Sequence, residues 1–415
     1  MYKENKLNYI LLLIVIYLFV FEFALQILNP IFGYWDELYA ALFFPLWLMK
    51  SRVIFKKNSY DSKLFLFLCL YILIGLLSNW IYKYQKTVPI LLDIFLNCKF
   101  FLGIYTTVFL FEDLDINLFK RKIKYHVKLI VSVLTVLVLI NYLVKIFPYD
   151  DIRYGIPSQQ LFYGHPTGLA SVSFFLLLLI ILLYENTNSD KFYILLCLLL
   201  LVSTLRIKAI VTSIVFIYFF WIIVIKKRRL NIGEIILLII SLSIISWQQI
   251  YGYFLSDDSL NTARGALLNR AFVIAKDHFP LGTGFGTYAS APSGSYYSPV
   301  YYLYNLNNIW GLGVENPMFV SDSFWPMILG QTGWLGLLVY LNILFILFKK
   351  IINKMKYNSN LKMACLGVMI YLLISSMGES AFVNPLSLPL AVILGLSFNE
   401  VNQRNIEGYD EVYAS

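Results

Sequence analysis

The turn STLRIKA sets two cations, Arg206 and Lys208, between runs that are otherwise apolar. Three further polar stretches repeat the theme. RYGIPSQQLFYGHPTG begins at Arg153 and carries His165, RGALLNRAFVIAKD carries Arg264 and Arg270, and SDSFWP places Asp322 just ahead of another apolar run. A guanidinium is a planar fork that grips a phosphate or carboxylate through two parallel hydrogen bonds, so several arginines in neighbouring loops point to an anionic ligand held without a metal. Asp322 or His165 could take a proton from a reacting group beside that anion. Each residue also has a plainer reading. A lone arginine at the end of an apolar run is commonly an interfacial anchor, and Asp322, between Ser321 and Ser323 and ahead of Pro326, also fits a helix N-cap.

The glycines of NRAFVIAKDHFPLGTGFGTYAS raise a different chemistry. A dinucleotide fingerprint needs G-x-G-x-x-G straight after a buried strand, whereas Gly282, Gly284 and Gly286 alternate as G-x-G-x-G after a helix-like segment ended by His278, Phe279 and Pro280. The nucleotide reading fails. These three glycines, with Gly164 in the earlier loop, are read as shaping loops beside the cations. Cys69, Cys98, Cys197 and Cys365 all fall in apolar runs and offer no zinc spacing, so the sequence calls for neither metal nor cofactor.

The elements that must carry these residues are written for lipid. The 415 residues are 59% hydrophobic and 14% charged, with a mean hydropathy of +0.71; soluble domains use roughly 45–50% apolar and 25% charged residues. Apolar runs near the roughly 20 residues that cross a bilayer recur about twelve times, and they are continuous, as in NYILLLIVIYLFVFEFALQIL, rather than alternating as in a barrel. The spacing predicts an all-α polytopic membrane domain over 1–415. Its spans fall at approximately 8–28, 31–49, 64–82, 88–111, 129–147, 167–184, 192–205, 209–225, 230–247, 325–348, 363–377 and 386–398. The first is read as an anchor that is not cleaved. Two polar segments, 148–166 and 248–324, are the external loops. The basic blocks SRVIFKKNSYDSK, LFKRKIKYHVK, KKRRL and KKIINKMKYNSNLK fall on alternate loops, which puts them and both termini on the cytoplasmic side and the arginine loops outside. The formal charge of +9 is thereby a matter of topology and requires no nucleic acid. Glu22, Asp93 and Lys99 lie inside runs, where each would cost about 2.5–3.5 kcal/mol facing lipid at the bilayer centre, so they must face the bundle. They read as structural pairs between helices. SGSYYSPVYYLYNLNNIWGLG in the large loop offers either an aromatic surface for sugar rings or filler from a tyrosine-rich chain.

The order of these motifs resembles the O-antigen polymerase and ligase superfamily. It rests on STLRIKA, then an arginine and an apolar helix leading to HFPLGTGFGTY, then DSFWPMILGQTGWLGLLVYLNILF, over roughly the last two thirds of the chain. The polymerase (Wzy-type) branch is described by an arginine, ten residues and a glycine in each of two outer loops. Arg153 to Gly164 fits that pattern; Arg270 to Gly282 has eleven residues between and departs by one. The ligase branch carries a histidine where this chain has Asp322, which favours the polymerase. The resemblance implies a fold similar to GT-C-type membrane glycosyltransferases and a reaction between two undecaprenyl-pyrophosphate-linked oligosaccharides at the outer face of the inner membrane. Arg206, Arg270 and Arg153 would hold the pyrophosphate, Lys208 and Arg264 would support them, and Asp322 or His165 would be the base. A chain-length regulator and a flippase are the partners that the resemblance implies. The competing readings are an O-antigen ligase acting on lipid A-core, a flippase or transporter for the lipid-linked unit, and a scaffold without activity.

Overall fold

A computed structural model describes residues 2–54, 59–149, 151–153, 155–228, 233, 251 and 260–413, and these are almost wholly helical. The apolar runs become α1 (Tyr2–Leu28), α4 (Tyr60–Tyr82), α5 (Thr87–Leu110), α6 (Ile116–Val144), α7 (Pro166–Leu182), α8 (Asn188–Ser203) and α9 (Ile207–Phe220), which runs into a π-turn at Trp221–Ile225. After the long polar segment come α13 (Phe324–Lys354), α14 (Ser359–Ser375) and α15 (Ser387–Tyr413). Side-chain caps set several starts, with Ser59, Asp115 and Thr187 accepting from the first-turn amides of α4, α6 and α8. The expected span at 230–247 and residues 252–259 of the large loop lie outside the described residues.

Among the described residues six helices are long and apolar enough to cross a bilayer, fewer than the hydropathy runs suggest. Two causes are physical. First, α7 and α14 have 17 residues each, about 25 Å at 1.5 Å per residue, short of the roughly 30 Å hydrocarbon core. Second, the run expected at 31–49 is not one helix. Pro30 opens a 3-10 turn at Pro30–Tyr34, capped by Asn29, and the chain then restarts as α2 (Trp35–Ala41) and α3 (Phe43–Ile54).

α7 forms the centre of the bundle. Every residue in it except Thr167 is buried, as expected of a helix that is apolar all round, and it packs against α6, α8, α14 and α15. A two-residue hairpin, β1 (Ile152–Arg153) and β2 (Ile156–Pro157), lies just upstream.

The polar segment ahead of α13 contributes α10 (Ala263–Asp277), which packs along α13, and two short helices, α11 (Ala291–Ser295) and α12 (Val300–Leu303). Between α10 and α11 the glycine loop enters the bundle. It meets α13 where Gly333 breaks the helix at φ 64°, ψ −164°. The break frees backbone groups that the loop pairs: the loop amides Thr283 N and Gly284 N donate to Gly330 O (2.9 Å) and Gln331 O (2.8 Å), and the helix amide Leu335 N donates to the loop carbonyl Pro280 O (3.2 Å). On the other side Phe285 N donates to Asn79 Oδ1 (2.8 Å), and Gly286 N donates to Asp93 Oδ2 (2.6 Å). Irregular backbone at membrane depth survives only when it is enclosed in protein and paired, as here.

Close approach explains the glycines. A Cβ on Gly282 would lie 2.3 Å from Gly330 O, and one on Gly333 2.4 Å from the Leu281 carbonyl carbon. Gly282→Ala should therefore push the loop off α13 and cost at least the about 1–3 kcal/mol typical of overpacking. Thermal unfolding of the detergent-solubilised protein checks this, and an unmoved midpoint would refute the insertion.

Candidate functional site

Cations from three segments meet at the loop-bearing end of the bundle. The turn between α8 and α9 holds Leu205 at φ 49°, which turns the chain so that Arg206 becomes the N-cap of α9 and Lys208 falls in its first turn. The positive end of a helix dipole adds to both charges. Arg206 Nη1 lies 3.8 Å from Asp151 Oδ2, and the same oxygen accepts from Arg153 Nε at 2.8 Å. Burial pushes the Asp151 carboxyl up, but the bond from Arg153 and the nearby Arg206 charge outweigh it and hold the group below its ordinary range.

His165 completes this half. It caps α7 at its N-terminal end, with Pro166 behind it at the first helical position. Its Nδ1 lies 2.7 Å from Thr167 Oγ1, and its Nε2 lies 3.2 Å from Arg206 Nη2. Nδ1 also accepts from Thr167 N at 3.2 Å, which is the cap bond, so His165 links the start of α7 to the Arg206 guanidinium.

The second half is built around α10 and α13. Arg264, in the first turn of α10 behind its Thr262 cap, donates from Nη2 to Asp322 Oδ2 at 3.0 Å. Asp322 lies two residues before α13. It does not cap that helix: Ser323 is the N-cap residue and makes no side-chain cap bond. Lys208 Nζ pairs with Glu379 Oε2 at 2.6 Å, and both charges act on Asp322. Burial is the largest influence there and pushes the Asp322 carboxyl above its ordinary range; Arg264 and Lys208 pull it down, and Glu379 pushes it up. The result is a half-buried carboxylate with enhanced affinity for a proton, which suits a general base.

The structure thus brings together Arg153, Arg206, Lys208, Arg264, His165 and Asp322, and adds Asp151 and Glu379, which the sequence reading did not select. Asp151 stands two residues before Arg153, and Glu379 lies in SSMGES beyond α14. Counting acidic as well as basic residues in the arginine-bearing loops would have raised both. Arg270 is placed differently. It sits six residues beyond Arg264 on α10, where its charge acts on the buried Tyr288 phenol. His278 is a joint of the fold: it is buried, its Nδ1 meets Ile274 O, and its Nε2 meets Tyr84 Oη at 3.2 Å. Gly282, Gly284 and Gly286 give their surroundings to α13, Asn79 and Asp93, and the amides of the last two are already taken by Gln331 and Asp93. Gly164, at φ 68°, turns the chain into His165.

Residues 192–341 match the family model described as O-Antigen ligase. No curated protein and no solved structure matches the chain. The matched stretch runs from α8 into α13 and contains Arg206, Lys208, Arg264, Arg270, the glycine loop and Asp322.

The charge geometry predicts opposite shifts at Asp322. Arg264→Ala should raise its proton affinity further, and Glu379→Gln should lower it. Carboxyl-carbon NMR titration of labelled protein reads both; shifts in the same direction would show that the two groups do not share one site.

Proposed function

We propose, from the premise that the chain belongs to the O-antigen polymerase and ligase superfamily, that it polymerises undecaprenyl-pyrophosphate-linked oligosaccharide units into O-antigen or capsular polysaccharide. The observation that carries the reading is Asp322, a carboxylate of raised proton affinity, ion-paired to Arg264 and standing within electrostatic reach of Lys208 beside Arg206. A glycosyl transfer of this kind needs a base and a cationic seat, and both kinds of group converge here.

In the proposed step, Asp322 accepts the proton of a sugar hydroxyl at the non-reducing end of one lipid-linked saccharide. The hydroxyl oxygen attacks the anomeric carbon of the other, and the bond to the pyrophosphate oxygen breaks. The departing undecaprenyl pyrophosphate carries the electron pair away. Arg206, Lys208 and Arg264, with Arg153 behind Asp151 and Arg270 further along α10, supply charge for the developing anion, and the chemistry calls for no metal. In the ligand-free arrangement Asp151, Asp322 and Glu379 hold these cations in position. The pyrophosphate would take over part of that pairing, releasing Asp322 to act.

The positive-inside pattern of the loops supports an inner-membrane protein with both termini cytoplasmic and the cation site on the external face. The bilayer and the lipid-linked saccharides are then its partners, with a flippase delivering units and a chain-length regulator limiting the polymer. The second reading is an O-antigen ligase acting on lipid A-core. It is favoured by the description of the matching family, and Asp322 at the position where the ligases carry a histidine weighs against it.

Deletion of the gene with complementation by wild type, Arg206→Ala or Asp322→Asn, at matched expression, tests the proposal on a gel of the surface glycan. Deletion should leave single repeat units outside the membrane, and each variant should lower ladder formation by about 10²–10³, the usual cost of one well-placed charge or base. Full-length polymer accumulating on the lipid carrier would mean a ligase. Single units trapped on the cytoplasmic face would mean a flippase.

A further inference from the structure

Away from the cation site, buried charge is concentrated where the second apolar run breaks. Asp36 and Glu37 occupy the first turn of α2, and Lys99 reaches them from α5, its Nζ lying 2.5 Å from Asp36 Oδ2 and 3.3 Å from Glu37 Oε1. Asp36 is 0% and Lys99 1% exposed. Glu22 of α1 stands alongside, with one oxygen accepting from Gln26 Nε2 (3.0 Å) and the other from Trp35 Nε1 (3.1 Å). It is satisfied as a carboxylate.

The remaining oxygens are not. Asp36 Oδ1 and Glu37 Oε2 are buried and accept from no donor, and the two carboxyl groups lie within hydrogen-bond reach of each other. Two acceptors facing one another lack one hydrogen. Glu22 has its own two donors, so Asp36 and Glu37 share the single ammonium of Lys99. With both ionised the trio would be left with one excess negative charge inside the bundle, where neighbouring carboxylates cannot both stay charged without further compensation. A metal ion is a poor solution, since Lys99 already occupies the neighbouring oxygens and would repel it, and two free oxygens are too few for a hard cation.

We propose that Asp36 and Glu37 form a proton-binding site, with one proton from water held between Asp36 Oδ1 and Glu37 Oε2. Protonation converts one carboxylate to a carboxylic acid whose O–H donates to the other, so the pair and Lys99 together become neutral. Glu37 is the partly exposed member, 29%, and is the way in and out for the proton. The site ties α1, the broken segment and α5 together when the proton is bound. Its stabilising effect is complete at low pH and is lost as the pH rises through the titration of the pair, because the folded state then carries an uncompensated charge that the unfolded chain would expose to water.

The full-length protein in lipid nanodiscs tests this by infrared spectroscopy and thermal unfolding between about pH 5 and about pH 9, a range above the ordinary carboxylate titration. Wild type should lose one carboxylic-acid carbonyl band as the pH rises, with a parallel fall in unfolding midpoint. Glu37→Gln, whose amide N–H can replace the proton toward Asp36, should lack that band and the fall, whereas Glu22→Gln should keep both. If Glu37→Gln fails to fold, Asp36→Asn, whose amide can donate to Glu37 in the same way, gives the same reading. A Glu37→Gln protein that retains the band and the fall, or a wild type with no acid band beyond the ordinary range, overturns the proposal.

Discussion

The pairing between the glycine loop and the broken α13 is the constraint on which the rest of the cation-bearing end depends. A helix interrupted at Gly333 would leave carbonyls unpaired within the bundle, and each unpaired group costs several kcal/mol away from water. A loop lowered into the bundle would leave its amides in the same condition. Each solves the problem of the other. Asp93 then takes the Gly286 amide that α13 does not reach, so α5 clamps the loop from the opposite side. Because α10 leads into this loop and Asp322 leads into α13, anchoring the loop also fixes how Arg264 and Asp322 face each other.

The same end of the molecule shows how cations can be concentrated without a ligand. Arg153, Arg206, Lys208 and Arg264 stand against Asp151, Asp322 and Glu379, so repulsion among the four is offset by three carboxylates placed between them. Half-exposed pairs of this kind contribute little to stability, about 0–1 kcal/mol each, and their effect is to fix geometry. On the proposed reaction, Asp322 has a second consequence. A pyrophosphate that draws Arg264 away removes an influence holding the Asp322 proton affinity down. The base would strengthen as the leaving group is gripped, which couples seating of the donor to activation of the acceptor.

How much of this was legible follows from where each feature is encoded. Spans such as Tyr60–Tyr82 and Thr87–Leu110 are set by continuous apolar runs, and STLRIKA announces its turn by its own residues. The broken second segment was less visible, because Pro30, Gly33, Asp36 and Glu37 interrupt a run whose average hydropathy still looks like a span. Arg206, Lys208, Arg264 and Asp322 were readable as candidates by type and position. Asp151 and Glu379 were not, since Glu379, for one, meets Lys208 from a distant part of the sequence that no local pattern records. The glycines were legible as special and illegible in purpose: their spacing cannot say whether backbone, ligand or phosphate makes the close approach.

α5 shows why charges in apolar runs cannot be sorted by spacing alone. Asp93 and Lys99 are six residues apart on one helix, too far round for a mutual pair, and the structure gives them unrelated partners. Asp93 accepts a backbone amide from an inserted loop, and Lys99 binds carboxylates of a broken helix. Removing Lys99 would strand a buried charge, a loss of about 3–5 kcal/mol, and removing Asp93 would leave the Gly286 amide unpaired at about 1–3 kcal/mol. Both partners are pieces of irregular chain that could not remain in the bundle unaided. The charges on α5 are therefore the fasteners of the two places where the helical rule is suspended.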